Sequence, residues 1–162
     1  FWDVSVTSMY LTTQIFLIVA VAGVFSWLIT TSGAARVAVD AIAQLQMPPW
    51  LVLLTINVFL LVVGCFIDTA SAILVLTPLL VPIAQAIGVD PIHFGIIVVT
   101  NLSIGTFTPP FGINIFVAQS IFKVPLRSIY AGLVPFIAVA IVGLMIVAYV
   151  PELSLWLIRF IG

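Results

Sequence analysis

The stretch Gly105-Thr106-Phe107-Thr108-Pro109-Pro110-Phe111-Gly112 interrupts an apolar run that otherwise extends from Pro91 to Phe122. Irregular backbone at membrane depth is tolerated only where it faces protein or a water-filled cavity, because lipid offers no hydrogen-bond partners. Pro109 and Pro110 have no N–H, so the carbonyls of Gly105 and Thr106, four residues earlier, lose their helical donors. Two oxygens are therefore expected to be released where the helix breaks. Asn101, Ser103, Thr106, Thr108 and Asn114 add side-chain oxygens around them, and a hard cation such as sodium takes an all-oxygen shell. The alternative is a proline kink in a packed helix, with Ser and Thr hydroxyls bonded back to their own backbone.

Composition says that a bilayer surrounds this break. Of 162 residues, 64% are hydrophobic and 6% charged, against about 25% charged in soluble domains. Four Lys/Arg and five Asp/Glu cannot cover the surface that a core of this size leaves exposed. At about 20 residues per span plus connections, the length suits roughly five hydrophobic segments. A net charge of -1 leaves no electrostatic footprint for nucleic acid. Cys65, the single cysteine, excludes a disulfide framework and a multi-thiolate metal site, and it reads as inert packing. The chain begins at Phe1 without a basic leader region, which reads as a portion of a longer polypeptide.

Working outward from the break, punctuation divides the chain clearly. Tyr10 to Leu28 carries no charge and reads as a spanning helix, with Gly33 placed to terminate it. In Ala34 to Leu45, Arg36, Asp40 and Gln44 recur every fourth residue, with Val37, Ala41, Ile42 and Leu45 on the opposite face. At about 18 Å this amphipathic helix is too short to cross and belongs in the interface plane, with Arg36 and Asp40 solvated. Pro48 and Pro49 open a run from Trp50 to Ile67, which Asp68, Thr69 and Ser71 break. The next run, Ala72 to Ile87, contains Pro78 and Pro82 and stops at Gly88; Asp90 is a candidate N-cap and Pro91 the first helical residue. Beyond the broken segment, Lys123, Pro125 and Arg127 mark an aqueous end, and Ser128 to Val150 is a last span closed by Pro151 and Glu152. Trp156 and Arg159 suit interface anchors. Arg36 and Arg159 fall on one side and Lys123 and Arg127 on the other, so positive charge does not decide orientation.

A second chemical position is the junction Gly64 to Ser71. The last carbonyls of one helix carry the negative dipole end, and the first N–H groups of the next carry the positive end, so one turn can serve both a cation and an anion. The alternative makes Asp68 a plain N-cap in a water-exposed loop between two complete spans. Length does not separate them, since Pro48 to Ile67 suits either a crossing or one arm of a re-entrant hairpin. His93 reads as a solvated or capped histidine and not a proton relay. Phe107, Phe111 and Phe116 read as core or lipid-facing residues. With no Gly-x-Ser-x-Gly elbow, no His-Glu-x-x-His and no second membrane aspartate near Asp68, the chain is not expected to be an enzyme.

From Gly64 to Val124 the sequence closely resembles the large membrane (M) subunit of the tripartite ATP-independent periplasmic (TRAP) transporters. The likeness runs through Gly64-x-Phe66-x-Asp68, the Pro78 and Pro82 pair, GVDPIHFG and IGTFTPPFG, and continues more loosely through the last span. It implies the C-terminal part of such a subunit. The implied fold is an all-α integral membrane protein, one half of an inverted-repeat secondary transporter of elevator type, with a re-entrant helical hairpin and a broken transmembrane helix. Residues 1–47 would be scaffold helix plus interfacial helix, 48–122 the hairpin and discontinuous helix of the transport domain, and 123–162 a terminal helix and tail.

The resemblance further implies sodium-coupled import of an organic anion (sialic acid, a C4-dicarboxylate or a similar carboxylate) in the bacterial inner membrane. A periplasmic substrate-binding protein would deliver the substrate, and a small membrane (Q) subunit, separate or fused, and the remainder of the large subunit would complete the assembly. No cofactor is implied, only Na+ as coupling ion. Sodium would be held by Gly64, Gly105, Thr108 and Phe111, mainly through carbonyls, with the Thr108 hydroxyl added; Thr69, Ser71 and Thr106 would reach the substrate carboxylate. The charge of Asp68 would repel an anion unless sodium or capping offsets it. The competing reading is an accessory membrane-assembly subunit whose proline breaks serve packing only.

Overall fold

The computed structural model of the chain describes residues 2–161, apart from the side chains of Leu11, Ile15, Leu157, Ile158, Arg159 and Ile161. Every regular element described is a helix. The first, α1 (Trp2–Ser32), is longer than its uncharged window at both ends. Its threonines explain the extension: the hydroxyls of Thr7, Thr12, Thr13 and Thr30 each donate to the carbonyl four residues back at 2.8 Å, so they bring no unpaired donor into an apolar helix. α1 is almost wholly exposed, with Ala22 its one buried residue among those described.

Gly33 adopts φ 71°, a left-handed conformation that ends α1 and turns the chain into α2 (Ala34–Gln44). The packing face of α2 differs from the expected one. Ala38, Val39 and Ile42 rest on the core, whereas Val37 and Leu45 are about two-thirds exposed, at 68% and 67%. With half-buried Ala35, the inward stripe follows the i, i+3, i+4, i+7 pattern of a helix face. Its alanines let α2 lie close against the later helix α4. Periodicity of Val and Ala alone does not distinguish the two adjacent stripes.

α3 (Pro49–Phe66) starts on Pro48 and Pro49, and α4 (Thr69–Ala86) follows after a two-residue turn. Asp68 caps α4, its carboxylate accepting the Ser71 N–H at 2.8 Å, and Pro78 and Pro82 lie inside that helix. Gly88, at φ 82°, leads to Asp90, whose carboxylate accepts the N–H groups of Ile92 (2.8 Å) and His93 (3.2 Å) and so starts α5 (Pro91–Gly105). After the break come α6 (Ile113–Phe122), α7 (Leu126–Tyr149) and α8 (Pro151–Ile161). Trp156 on α8 is exposed, as an interface anchor requires; the side chain of Arg159 lies outside the described residues.

Four helices, α1, α3, α4 and α7, are long and apolar enough to cross a membrane, and α5 and α6 are shorter apolar helices. At 1.5 Å per residue, α5 reaches about 22 Å and α6 about 15 Å, less than the hydrocarbon thickness. The core lies where α3, α4 and α5 meet, around Ile56, Leu60, Ala72, Phe94, Val98 and Leu102. α3 lies chiefly along α5, while α4 also packs on α1 and α2. The turn between α3 and α4 is thereby carried to the end of α5.

Candidate functional site

α3 and α5 run parallel. Leu53 clusters with Ile97, Asn57 bonds Asn101, Gly64 meets Gly105 and the Cys65 thiol approaches the Pro109 carbonyl at 3.8 Å. These contacts advance in the same sense along both helices, so their C-terminal ends arrive at one level and the two negative dipole ends reinforce each other. Two glycines permit this approach. A Cβ on Gly105 would lie 2.5 Å from the Cα and carbonyl carbon of Gly64, and one on Gly64 would lie 3.1 Å from the Cα of Gly105.

The helix ends carry acceptors. Ile67 N–H returns to the Val63 carbonyl at 3.0 Å, but among the described residues no turn N–H reaches the carbonyls of Gly64, Cys65 or Phe66. At the break the expectation of two released oxygens needs correcting. The Gly105 carbonyl accepts the Thr108 N–H and the Thr106 carbonyl accepts the Asn114 N–H, each at 3.0 Å. A tight turn and the start of α6 thus replace the lost helical donors, leaving each carbonyl one lone pair for a further partner. Gly112 makes the loop possible, since a Cβ there would lie 2.6 Å from the Thr106 oxygen. Tyr130 of α7 donates its hydroxyl to the Pro110 carbonyl at 3.1 Å, tying the loop to the next helix.

The anticipated cation residues converge at this junction. Gly64 and Gly105 touch, and the Thr108 hydroxyl donates to the Ile104 carbonyl at 2.7 Å, which occupies its proton and leaves its oxygen lone pairs. Phe111 stacks at a tilt on Phe66, ring centroids 5.2 Å apart, and no N–H among the described residues reaches its carbonyl. No cluster of three His, Cys, Asp or Glu occurs among the described residues; the anticipated residues offer carbonyls and one hydroxyl, an oxygen set suited to a hard cation. Thr108→Val keeps the side-chain shape and deletes that oxygen. Were sodium held here, this change would raise the half-saturating sodium concentration of the full-length protein about tenfold, the scale of one lost hydrogen-bonding group, with melting temperature in the absence of sodium near wild type.

The anticipated anion residues are less closely grouped. The Thr106 hydroxyl donates to the Ser103 carbonyl at 2.7 Å and accepts from Asn114 Nδ2 at 3.0 Å, so it is tied into the break. Thr69 and Ser71 sit half-buried in the first turn of α4, with no hydrogen bond to Thr106 among the described residues. His93 departs from the expectation of a solvated residue: it is 2% exposed, its Nε2 lies 3.2 Å from the Ala148 carbonyl, and its Nδ1 is buried without a partner. The corner between α7 and α8 covers the first turn of α5, which no local pattern announces. Asn57, fully buried and bonded to Asn101, escaped the sequence reading. Its signal was a lone amide in an apolar helix, seven residues before Gly64.

The sequence model of the family described as "Tripartite ATP-independent periplasmic transporter, DctM component" matches residues 3–153. The chain belongs to this family. Among curated relatives, the C4-dicarboxylate TRAP transporter large permease protein DctM of Pseudomonas aeruginosa is 38% identical over 152 residues, covering 94% of this chain and 36% of that protein. The sialic acid TRAP transporter large permease protein SiaM of Vibrio cholerae is 34% identical over 134 residues, 83% of this chain and 31% of that protein. The isethionate TRAP transporter permease protein DctMQ of Oleidesulfovibrio alaskensis is 35% identical over 156 residues, 96% of this chain and 25% of that protein. The chain therefore spans between 25% and 36% of these relatives' length. All three are named as permeases and none as an enzyme. Family and helices together make this a multi-pass membrane protein of TRAP permease type.

Proposed function

We propose that this chain is the part of a TRAP large permease that couples import of an organic anion to sodium. The observation that carries the reading is the parallel arrival of the α3 and α5 C-termini in main-chain contact at Gly64 and Gly105, with acceptor carbonyls on both sides of the contact. Two like dipole ends in a low-dielectric medium repel, and a cation between them removes the repulsion. Gly64, Gly105, Thr108 and Phe111 would supply the sodium ligands. Across the turn, the N-terminus of α4 offers the positive end of its dipole to an anion. The Asp68 carboxylate is spent on the Ser71 N–H, which lowers its opposition to an anion near Thr69, Ser71 and Thr106. Relatives named for C4-dicarboxylate, sialic acid and isethionate all take organic acids, which supports an anion without choosing one.

In this reading α3 and α4 form a re-entrant hairpin and, with the broken pair α5 and α6, make up the transport domain over residues 48–122. Residues 1–47 act as scaffold and interfacial helix, and 123–162 as a connecting helix and tail. The domain moves as an elevator in the inner membrane, taking substrate from a periplasmic binding protein. A small Q subunit accompanies it, and the name DctMQ of one relative fits a fused form. Each positive charge carried inward gains about 2.3 kcal/mol per 100 mV of membrane potential, which drives accumulation. Uptake by proteoliposomes holding the full-length permease, its small subunit and the binding protein tests the coupling. Uptake is expected to fall to background when potassium or choline replaces sodium; unchanged uptake would remove sodium from the mechanism.

A further inference from the structure

Within the buried core a polar contact joins α3 and α5. Asn101 Nδ2 donates to Asn57 Oδ1 at 2.7 Å and to the Ile97 carbonyl at 2.9 Å, and Asn57 Nδ2 donates to the Leu53 carbonyl at 2.7 Å. Both residues are fully buried, and Asn101 Oδ1 has no partner among the described residues. A pair of leucines would fill such a seam without an unpaired acceptor, so stability alone does not account for the amides. Their position does. Leu53, Asn57, Leu60 and Gly64 follow one another at intervals of four, three and four along α3, and Phe94, Val98, Asn101 and Gly105 do the same along α5. All eight are buried, and in the seam between parallel helices a single buried asparagine pair fixes register where apolar side chains permit slippage. The pair lies two turns before Gly64 on α3 and one turn before Gly105 on α5.

We propose that Asn57 and Asn101 are positioning residues that set the register of α3 against α5, and so hold the two carbonyl ends at the separation a sodium ion requires. In the register observed the two amides meet and Gly64 lies against Gly105, where a Cβ on Gly105 would lie 2.5 Å from the Gly64 backbone and one on Gly64 3.1 Å from the Gly105 Cα. Slippage would separate Gly64 from Gly105 and pull the acceptors apart while leaving the apolar packing nearly intact. This inference rests on the sodium reading above and adds the means by which the site is kept in shape.

The test uses the full-length permease with its small subunit and binding protein in proteoliposomes. Asn57→Leu with Asn101→Leu removes both amides together. It is expected to raise half-saturating sodium about tenfold or more, as loss of an outer supporting contact does at ion sites, with the substrate KM at saturating sodium unchanged and the sodium-free melting temperature not lowered. A merely structural pair would instead lower the melting temperature and leave sodium affinity alone, and that result overturns the proposal. Should the double variant fail to reach the membrane, Asn57→Gln decides: it keeps the amide but lengthens it, and a raised half-saturating sodium supports the lock whereas a wild-type value overturns it. Thr108→Val separates the two claims. If it weakens sodium dependence and the asparagine variants do not, the site stands and the register lock fails; if wild-type uptake ignores sodium altogether, the underlying reading fails first.

Discussion

Gly105→Ala is expected to abolish the proposed sodium-driven uptake by the full-length permease while leaving the protein inserted. The new methyl carbon would sit 2.5 Å from the Cα and carbonyl carbon of Gly64 and 2.9 Å from its oxygen, against the roughly 3.5–4.0 Å at which carbon atoms pack. All three contacts are main chain, so no rotamer change relieves them and α3 must move away from α5 by about 1 Å. Overpacking of this kind costs about 1–3 kcal/mol, too little to remove a membrane-embedded bundle. A displacement of about 1 Å at a site built on fixed geometry nevertheless costs on the order of 100-fold in rate. The measurement is the initial rate of binding-protein-dependent uptake, normalised to inserted protein. Gly95→Ala, where an added Cβ meets nothing within 4 Å, is the matched control and is expected to transport at the wild-type rate. Wild-type uptake by Gly105→Ala would mean that the two helix ends part without consequence.

The second large effect concerns the break. Pro109→Ala with Pro110→Ala returns two N–H donors to positions that face the Gly105 and Thr106 carbonyls in a regular helix. Those carbonyls now accept from Thr108 and Asn114, so the variant sets a continuous helix against the present loop. Each proline removed from a helix interior is worth about 3 kcal/mol, and glycines 105 and 112 oppose by only about 1 kcal/mol each, which favours the helix. Thr108 would then be carried around the helix axis and the Phe111 carbonyl closed by its own helical donor. Half-saturating sodium, measured at fixed substrate, is expected to rise until coupling is no longer detectable. A wild-type sodium dependence would mean that GTFTPPFG is only a kink and that the ion sits elsewhere.

Much of this architecture is written in residues whose backbone behaviour is fixed by covalent structure. Pro49, Pro91, Gly33 and Gly88 punctuate helices at the expected places, and Asp68 and Asp90 cap the helices they precede. The break between α5 and α6 follows from a double proline between two glycines. What the sequence leaves open depends on partners distant along the chain. Apolar residues of similar size on α2 allow two adjacent stripes, and only contact with α4 selects the one through Val39. Proline spacing identifies carbonyls that lose a helical donor but not the Asn114 N–H that comes back to one of them. His93 looks like an interfacial residue until the corner at Ala148 covers it. Asn57 and Asn101 are separated by 44 positions, so neither signals the other locally.

The central claim is that a cation binds where the ends of α3 and α5 meet, and it is tested most directly by sodium-dependent melting of the full-length permease without any substrate. A ligand at ten times its Kd stabilises the folded state by about 1.4 kcal/mol, so the wild-type melting temperature is expected to climb with sodium chloride and not with choline chloride at equal ionic strength. The climb is expected to persist in Gly95→Ala, to need more sodium in Thr108→Val and to vanish in Gly105→Ala. The same sodium-dependent rise in all four proteins would contradict a site at this junction.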